Sequence, residues 1–186
     1  TEVRVSRPEV ILQEARSRRR RERLTRDGRL TILAGDHTAR GTLKSLDDPL
    51  RMADRHEYLG RLLRVIAHPD FDGVMAPPDI IEDMIIVNYL VKRGGGPSFL
   101  DGRVLVGCMQ RGGVAGVSGE IDDRFSAYTA ASLAEFGLDG GKMLIRAVDD
   151  DERTLRTVDY CASAVTDLRR QGLAAFIEPI PQKQVN

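Results

Sequence analysis

Residues 142–148 read Lys-Met-Leu-Ile-Arg-Ala-Val. The segment is apolar enough for a buried strand, yet it carries Lys142 and Arg146. Side chains alternate along a strand, so Met143, Ile145 and Ala147 share one face, and Lys142, Leu144, Arg146 and Val148 share the other. A central strand of an open doubly wound sheet is apolar on both faces. The inward face of a closed barrel takes polar groups near its mouth. Segment 174–180, AAFIEPI, repeats the pattern: Phe176 and Glu178 lie opposite Ala175 and Ile177. Charges embedded in successive strands predict a barrel. A flavodoxin-like five-stranded sheet is the competing architecture, because it matches the strand count.

Working outward, residues 31–43, TILAGDHTARGTL, run from an apolar strand (30–35) into Asp36 and His37, with a helix expected from Gly41. A carboxylate on an apolar strand is costly unless it is paired or working. The bland alternative makes Asp36 a helix cap and His37 a loop residue. Further strands are expected at 73–76 and 103–109. Helices are expected at 49–67, with His56 on its surface, at 80–91 behind a capping Asp79, at 124–136, and at 152–171 ahead of Gly172. The glycine-rich stretch 112–119 lacks a Walker-type lysine and reads as a mobile loop at the mouth of a site. An N-terminal helix is expected over 7–28, with Pro8 in its first turn. Its run Arg18–Arg21 has acidic neighbours and no interleaved aromatic, so it reads as a solvated face and not a nucleic-acid contact.

Strand and helix alternate five times in units of roughly 30 to 40 residues, the pattern of a parallel α/β protein. A complete eight-stranded barrel needs about 250 residues. The 186 residues, read as one domain, therefore correspond to an N-terminal helix and about five βα units (30–180) of a (β/α)8 TIM barrel. Five barrel strands alone leave two edges with unpaired backbone groups, so the bare chain is expected to be unstable or to associate as a homo-oligomer.

The 28 basic and 28 acidic residues balance, which removes any global drive toward nucleic acid or anionic membrane. Two unpaired cysteines, Cys108 and Cys161, argue against a disulfide framework or a zinc site. With no membrane-length apolar run and no signal-peptide core, a cytoplasmic protein is expected. Only Lys44, Lys92, Lys142 and Lys183 interrupt the preference for arginine. Arginine stays protonated, whereas a buried lysine can lose its proton, so a strand lysine in this chain suggests chemistry.

Three motifs carry a resemblance. AGDHTARGTL, GKMLIRAVDDDE (141–152) and AAFIEPI together resemble the first, fourth and fifth strands of the deoxyribose-phosphate and tagatose-bisphosphate aldolase-like (β/α)8 group. The resemblance covers residues 30–180 and implies a class I aldolase of carbohydrate or inositol breakdown. Such a lyase needs no cofactor or metal and acts on a keto sugar or sugar phosphate. In that group the Schiff-base lysine lies on the sixth strand and the phosphate site after strands seven and eight. The resemblance thus supplies Asp36, Lys142 and Glu178 as catalytic supports; His37, Arg111 and Arg146 are expected as substrate contacts.

A class I aldolase forms an iminium between an amine and the substrate ketone, and the amine must be neutral to attack. Lys142, with Arg146 on the same face, could be the second cation that lowers the amine's pKa. Asp36 or Glu178 could move the proton of the hydroxyl that becomes the aldehyde. The bland readings are a snorkelling Lys142 and a Glu178–Arg146 ion pair. Two other functions compete. One is a flavodoxin-like binding module holding Mg²⁺ with Asp36 and Asp149–Asp151. The other is a non-catalytic barrel fragment.

Overall fold

The computed structural model describes residues 2–112 and 120–182. Five strands, β1 (Ile32–Ala34), β2 (Gly73–Ala76), β3 (Val104–Cys108), β4 (Gly140–Val148) and β5 (Ala174–Gln182), form one sheet. Six helices accompany them: α1 (Glu2–Ser6), α2 (Glu9–Ser17), α3 (Arg55–Ile66), α4 (Pro78–Arg93), α5 (Ala130–Glu135) and α6 (Glu152–Arg170). The strand order is β1-β2-β3-β4-β5 and every pairing is parallel. Each crossover steps one strand in the same direction. A flavodoxin-like sheet must reverse direction at its switch point, so that architecture is excluded.

The sheet is curled. In a flat sheet β1 and β4 would lie three strand spacings apart, about 14 Å. The carboxylate that follows β1 nevertheless reaches the Lys142 amine on β4 at 2.7 Å. The sheet therefore closes around the Lys142 face as a half-barrel. Cys108, Lys142 and Phe176 are register neighbours on that concave side, as are Leu144 and Glu178.

Helices cover the other face. Leu105, Met109 and Met143 pack there with Ile80, Met84, Leu133 and Leu168 in the main core. The helices approach closely where the sheet has no side chain. A Cβ on Gly107 would collide with Leu133 and Tyr128, and one on Gly141 would lie 2.9 Å from Leu133 and Leu168.

Several elements differ from their sequence reading. The N-terminal helix ends at Ser17, not at residue 28. Arg18 is buried and donates to Asp139 and to the carbonyls of Arg103 and Gly137. Arg20 also binds Asp139, and Arg21 pairs with Asp72. Those acceptors lie beside the starts of β2, β3 and β4, and the chain leaves the helix to reach them. Part of the arginine run is thus a structural staple and not a solvated face.

Helix α3 starts at Arg55, where Asp54 caps the Glu57 amide. Asp79 is not a cap; it sits in the first turn of α4 and accepts from Arg55. The expected helix 124–136 is only α5, begun by a Thr129–Ser132 capping box. The expected loop motif lies mostly outside the described residues, at 113–119.

Candidate functional site

Strand β1 delivers Asp36. The Gly35 amide extends the ladder to the Met75 carbonyl, and the chain then folds into a 3-10 turn over Thr38–Arg40. Gly41 ends that turn in a left-handed conformation at φ 73° and opens no helix. The turn places Arg40 four residues after Asp36 and over it. Arg40 Nε donates to Asp36 Oδ2 at 3.0 Å, and Nη1 donates to Asp123 Oδ2 at 3.3 Å.

Strand β4 delivers Lys142 from the other side. Its side chain is 1% exposed and Nζ donates to the same Asp36 oxygen at 2.7 Å. Glu178 Oε2 on β5 lies 2.6 Å from Nζ, with its side chain half exposed. The structure therefore brings Asp36, Lys142 and Glu178 together on the concave face. The alternative partner for Glu178 was Arg146, and Lys142 takes that place.

The network continues to Gln110, just beyond β3. Its amide nitrogen donates to the Asp123 and Leu144 carbonyls, and its oxygen accepts from the Leu144 amide. One buried glutamine thus ties the loop carrying Asp123 to β4. Buried polar groups are costly unless satisfied, and this bracket satisfies three backbone groups together.

Electrostatics divides the carboxylates. Burial is the largest influence on Asp36 and pushes its pKa up, but Lys142 and Arg40 together outweigh it and hold the group below the usual value. Asp123 goes the other way: burial raises it, Glu120 adds to the rise, and Arg40 and Arg146 offset only part of it. Cys108, beside Lys142 in register, has its thiol pushed up to about 12 by burial and then by Asp36. A thiol held neutral in this way is a poor nucleophile.

The expected substrate contacts separate. Arg146 lies on the Lys142 face near Asp123, and its buried Nη1 has no hydrogen-bond partner among the described residues. His37 is exposed, and among the described residues it contributes its carbonyl to the 3-10 turn and no side-chain hydrogen bond. Arg111 reaches Asp79 at 3.6 Å, at the start of α4. Sequence reading singled out neither Arg40 nor Asp123 nor Gln110 as site residues. The available signal for Arg40 was its four-residue spacing from Asp36.

The Mg²⁺ reading does not fit the observed geometry. Asp36 Oδ2 is taken by two cationic side chains, and Asp151 caps α6 while gripping Arg153. Among the described residues, no three His, Cys, Asp or Glu side chains gather as metal ligands. No helix among them is long and apolar enough to cross a membrane.

Comparison with known proteins corrects the family assignment. Residues 28–186 match the Cgl0159-like family model, not a deoxyribose-phosphate or tagatose-bisphosphate aldolase model. The crystal structure of Cgl0159 from Corynebacterium glutamicum (Brevibacterium flavum) is similar at a TM-score of 0.86 and 36% identity. That match covers 100% of this chain and 59% of the solved one, so the chain spans about three fifths of its length. No curated protein matches. The aldolase resemblance rested on three short strand motifs, whereas the family model matches a continuous 159 residues, from 28 through 186. The chain belongs to the Cgl0159-like family.

Proposed function

We propose that this chain supplies the acid–base part of a carbon–carbon lyase that cleaves or forms an aldol bond in a keto sugar through an iminium. The observation that supports it is Lys142: a fully buried amine held between carboxylates from β1 and β5 at one concave site. In its hydrogen bond to Asp36 the Lys142 ammonium is the donor. On this reading it protonates the hydroxyl that leaves as water when an iminium forms.

The nucleophilic amine is assigned to the part of the full-length protein that this chain does not span, within a completed eight-stranded barrel. Glu178 is the proton acceptor for the substrate hydroxyl that becomes the carbonyl. It is half exposed and can exchange its proton with water. Lys142 and Arg40 hold the proton affinity of Asp36 down. The part of Asp36 is to orient Lys142.

The test is borohydride reduction of the full-length protein with a keto sugar, read by intact-mass spectrometry and peptide mapping. The parent protein is expected to gain the mass of the reduced adduct. Lys142→Met is expected to fold and to trap about a hundredfold more slowly, the usual scale for loss of a general acid. No adduct on the parent removes the iminium reading. An adduct mapped to Lys142 makes it the nucleophile, and trapping at the parent's rate removes it from the chemistry.

A further inference from the structure

A polar cavity lies at the end of the sheet opposite the Asp36–Lys142 cluster. Arg103 and Asp72 immediately precede β3 and β2, so this cavity sits at the amino ends of the strands. The Asp36–Lys142 site sits toward the carboxyl ends. The cavity encloses about 530 Å³ and is bounded by Arg19, Arg21, Arg26 and Arg103, with Asp72 and Asp101 as its acidic groups. Phe99 and Pro97 add an apolar portion to the wall.

Four guanidinium groups face two carboxylates there, in a chain whose formal net charge is zero. The pairing is also unequal. Arg21 binds Asp72 at 2.9 Å and the Gly102 carbonyl. Arg103 donates to the Phe71 and Ala67 carbonyls. Asp101 is occupied by the Arg19 backbone amide and by Ser98. Among the described residues, the side chains of Arg19 and Arg26 have no hydrogen-bond or ion-pair partner. The crowding is visible on Arg103: burial lowers its pKa, and Arg21 and Arg26 lower it further against the pull of Asp72.

Uncompensated like charges around a concave, partly apolar wall raise the local concentration of anions. Guanidinium groups match phosphate oxygens in a planar, two-pronged geometry. We infer that this cavity binds a phosphate ester of metabolite size, its phosphate held by Arg19 and Arg26 and its organic part against Phe99 and Pro97. The site is separate from the proposed lyase centre and stands whether or not that centre is catalytic. A nucleic-acid strand would need a basic track extending beyond one cavity, and the balanced composition does not supply it. Because the Arg19–Arg26 arm crosses from α2 to β1, an anion bound there ties the arm to the strand starts.

Isothermal titration of the whole protein with pyrophosphate, as the minimal probe, tests this at physiological salt. The parent is expected to bind with heat that saturates at one site per chain. Each of Arg19→Gln and Arg26→Gln is expected to weaken binding by about tenfold, the scale of one charge-assisted hydrogen bond. Both side chains are exposed, so the variants should keep the parent's thermal transition. Equal affinity of parent and double variant overturns the site. So does binding that disappears at physiological salt, or a stronger preference for a single-stranded oligonucleotide than for pyrophosphate.

Discussion

Two buried clusters of basic and acidic side chains sit at opposite ends of this sheet, and they are built differently. At the amino end, Asp139 is closed on every side. Its Oδ2 accepts from Arg18 and the Leu105 amide, and its Oδ1 accepts from Arg20. Arg18 also donates to the Arg103 and Gly137 carbonyls. At the other end, Asp36, Lys142, Arg40 and Asp123 form a chain of alternating charge with open ends. Among the described residues, buried Arg40 Nη2 and Arg146 Nη1 have no partner, and Glu178 is half in solvent. The same residue types thus make a fastener whose central carboxylate is saturated, and an open chain whose end carboxylate, Glu178, reaches solvent. Among the described residues the first cluster also keeps an unpartnered guanidinium nitrogen, Arg18 Nε. A buried polar atom without a partner costs free energy.

The largest expected effect breaks the closed cluster. Asp139→Ala leaves Arg18, 2% exposed, without its counter-charge and orphans the Leu105 amide. Urea denaturation should show a loss of about 3–5 kcal/mol, as for other broken buried pairs. Asp36→Ala is the matching change at the open cluster. It leaves Lys142 with Glu178 and Arg40 with Asp123, so a smaller loss, about 1–3 kcal/mol, is expected. Equal losses at the two positions would erase the distinction between fastener and site.

The sequence carried half of this contrast. Asp36, Lys142 and Glu178 stood out because each interrupts an apolar strand, and period-two alternation put Lys142 and Glu178 on matching faces. The curl that brings β1 to β4 is a property of the assembled sheet, and no single strand encodes it. Asp123 lies in a loop, and its meaning comes only from Arg40 arriving across 83 residues. The missed start of α5 has the same cause. Residues 124–129 stay non-helical while Asp123 turns toward Arg40. The Thr129–Ser132 spacing was a cap signal open to reading. Arg18–Arg21 looked like a helix surface because helical periodicity cannot reveal acceptors beside the starts of β2 and β4.

A titration sharpens the comparison within the open cluster. The Asp36 pKa is lowered in the fold, so its contribution to stability is present above the ordinary carboxylate value and is lost as pH falls through its folded value. The Asp123 pKa is raised, so the sign reverses. Acidifying from neutral pH should protonate Asp123 first and favour the fold, and only then protonate Asp36 and weaken it. Carboxyl-carbon NMR should show Asp123 titrating above, and Asp36 below, the 3.8 of a free aspartate. The reverse order would mean that Lys142 and Arg40 do not hold Asp36 in solution.

The smallest expected change in stability comes from Glu178→Gln, and it separates fastening from chemistry most cleanly. The carboxylate is half exposed, so water screens its 2.6 Å pair with Lys142. Lys142 keeps its bond to Asp36 when that pair is lost. A change under about 1 kcal/mol is expected, the range of solvent-accessible ion pairs. The proposed chemistry predicts the opposite scale for turnover. Glutamine cannot accept the hydroxyl proton, so bond cleavage should slow by about a hundredfold while the iminium still forms. Borohydride should then trap uncleaved substrate on the variant, where the parent traps mainly the cleaved fragment. A loss of several kcal/mol would place Glu178 with Asp139 as a fastener. An unchanged ratio of trapped species would take it out of the proton path, leaving Asp36, the other carboxylate in contact with Lys142, to do that work.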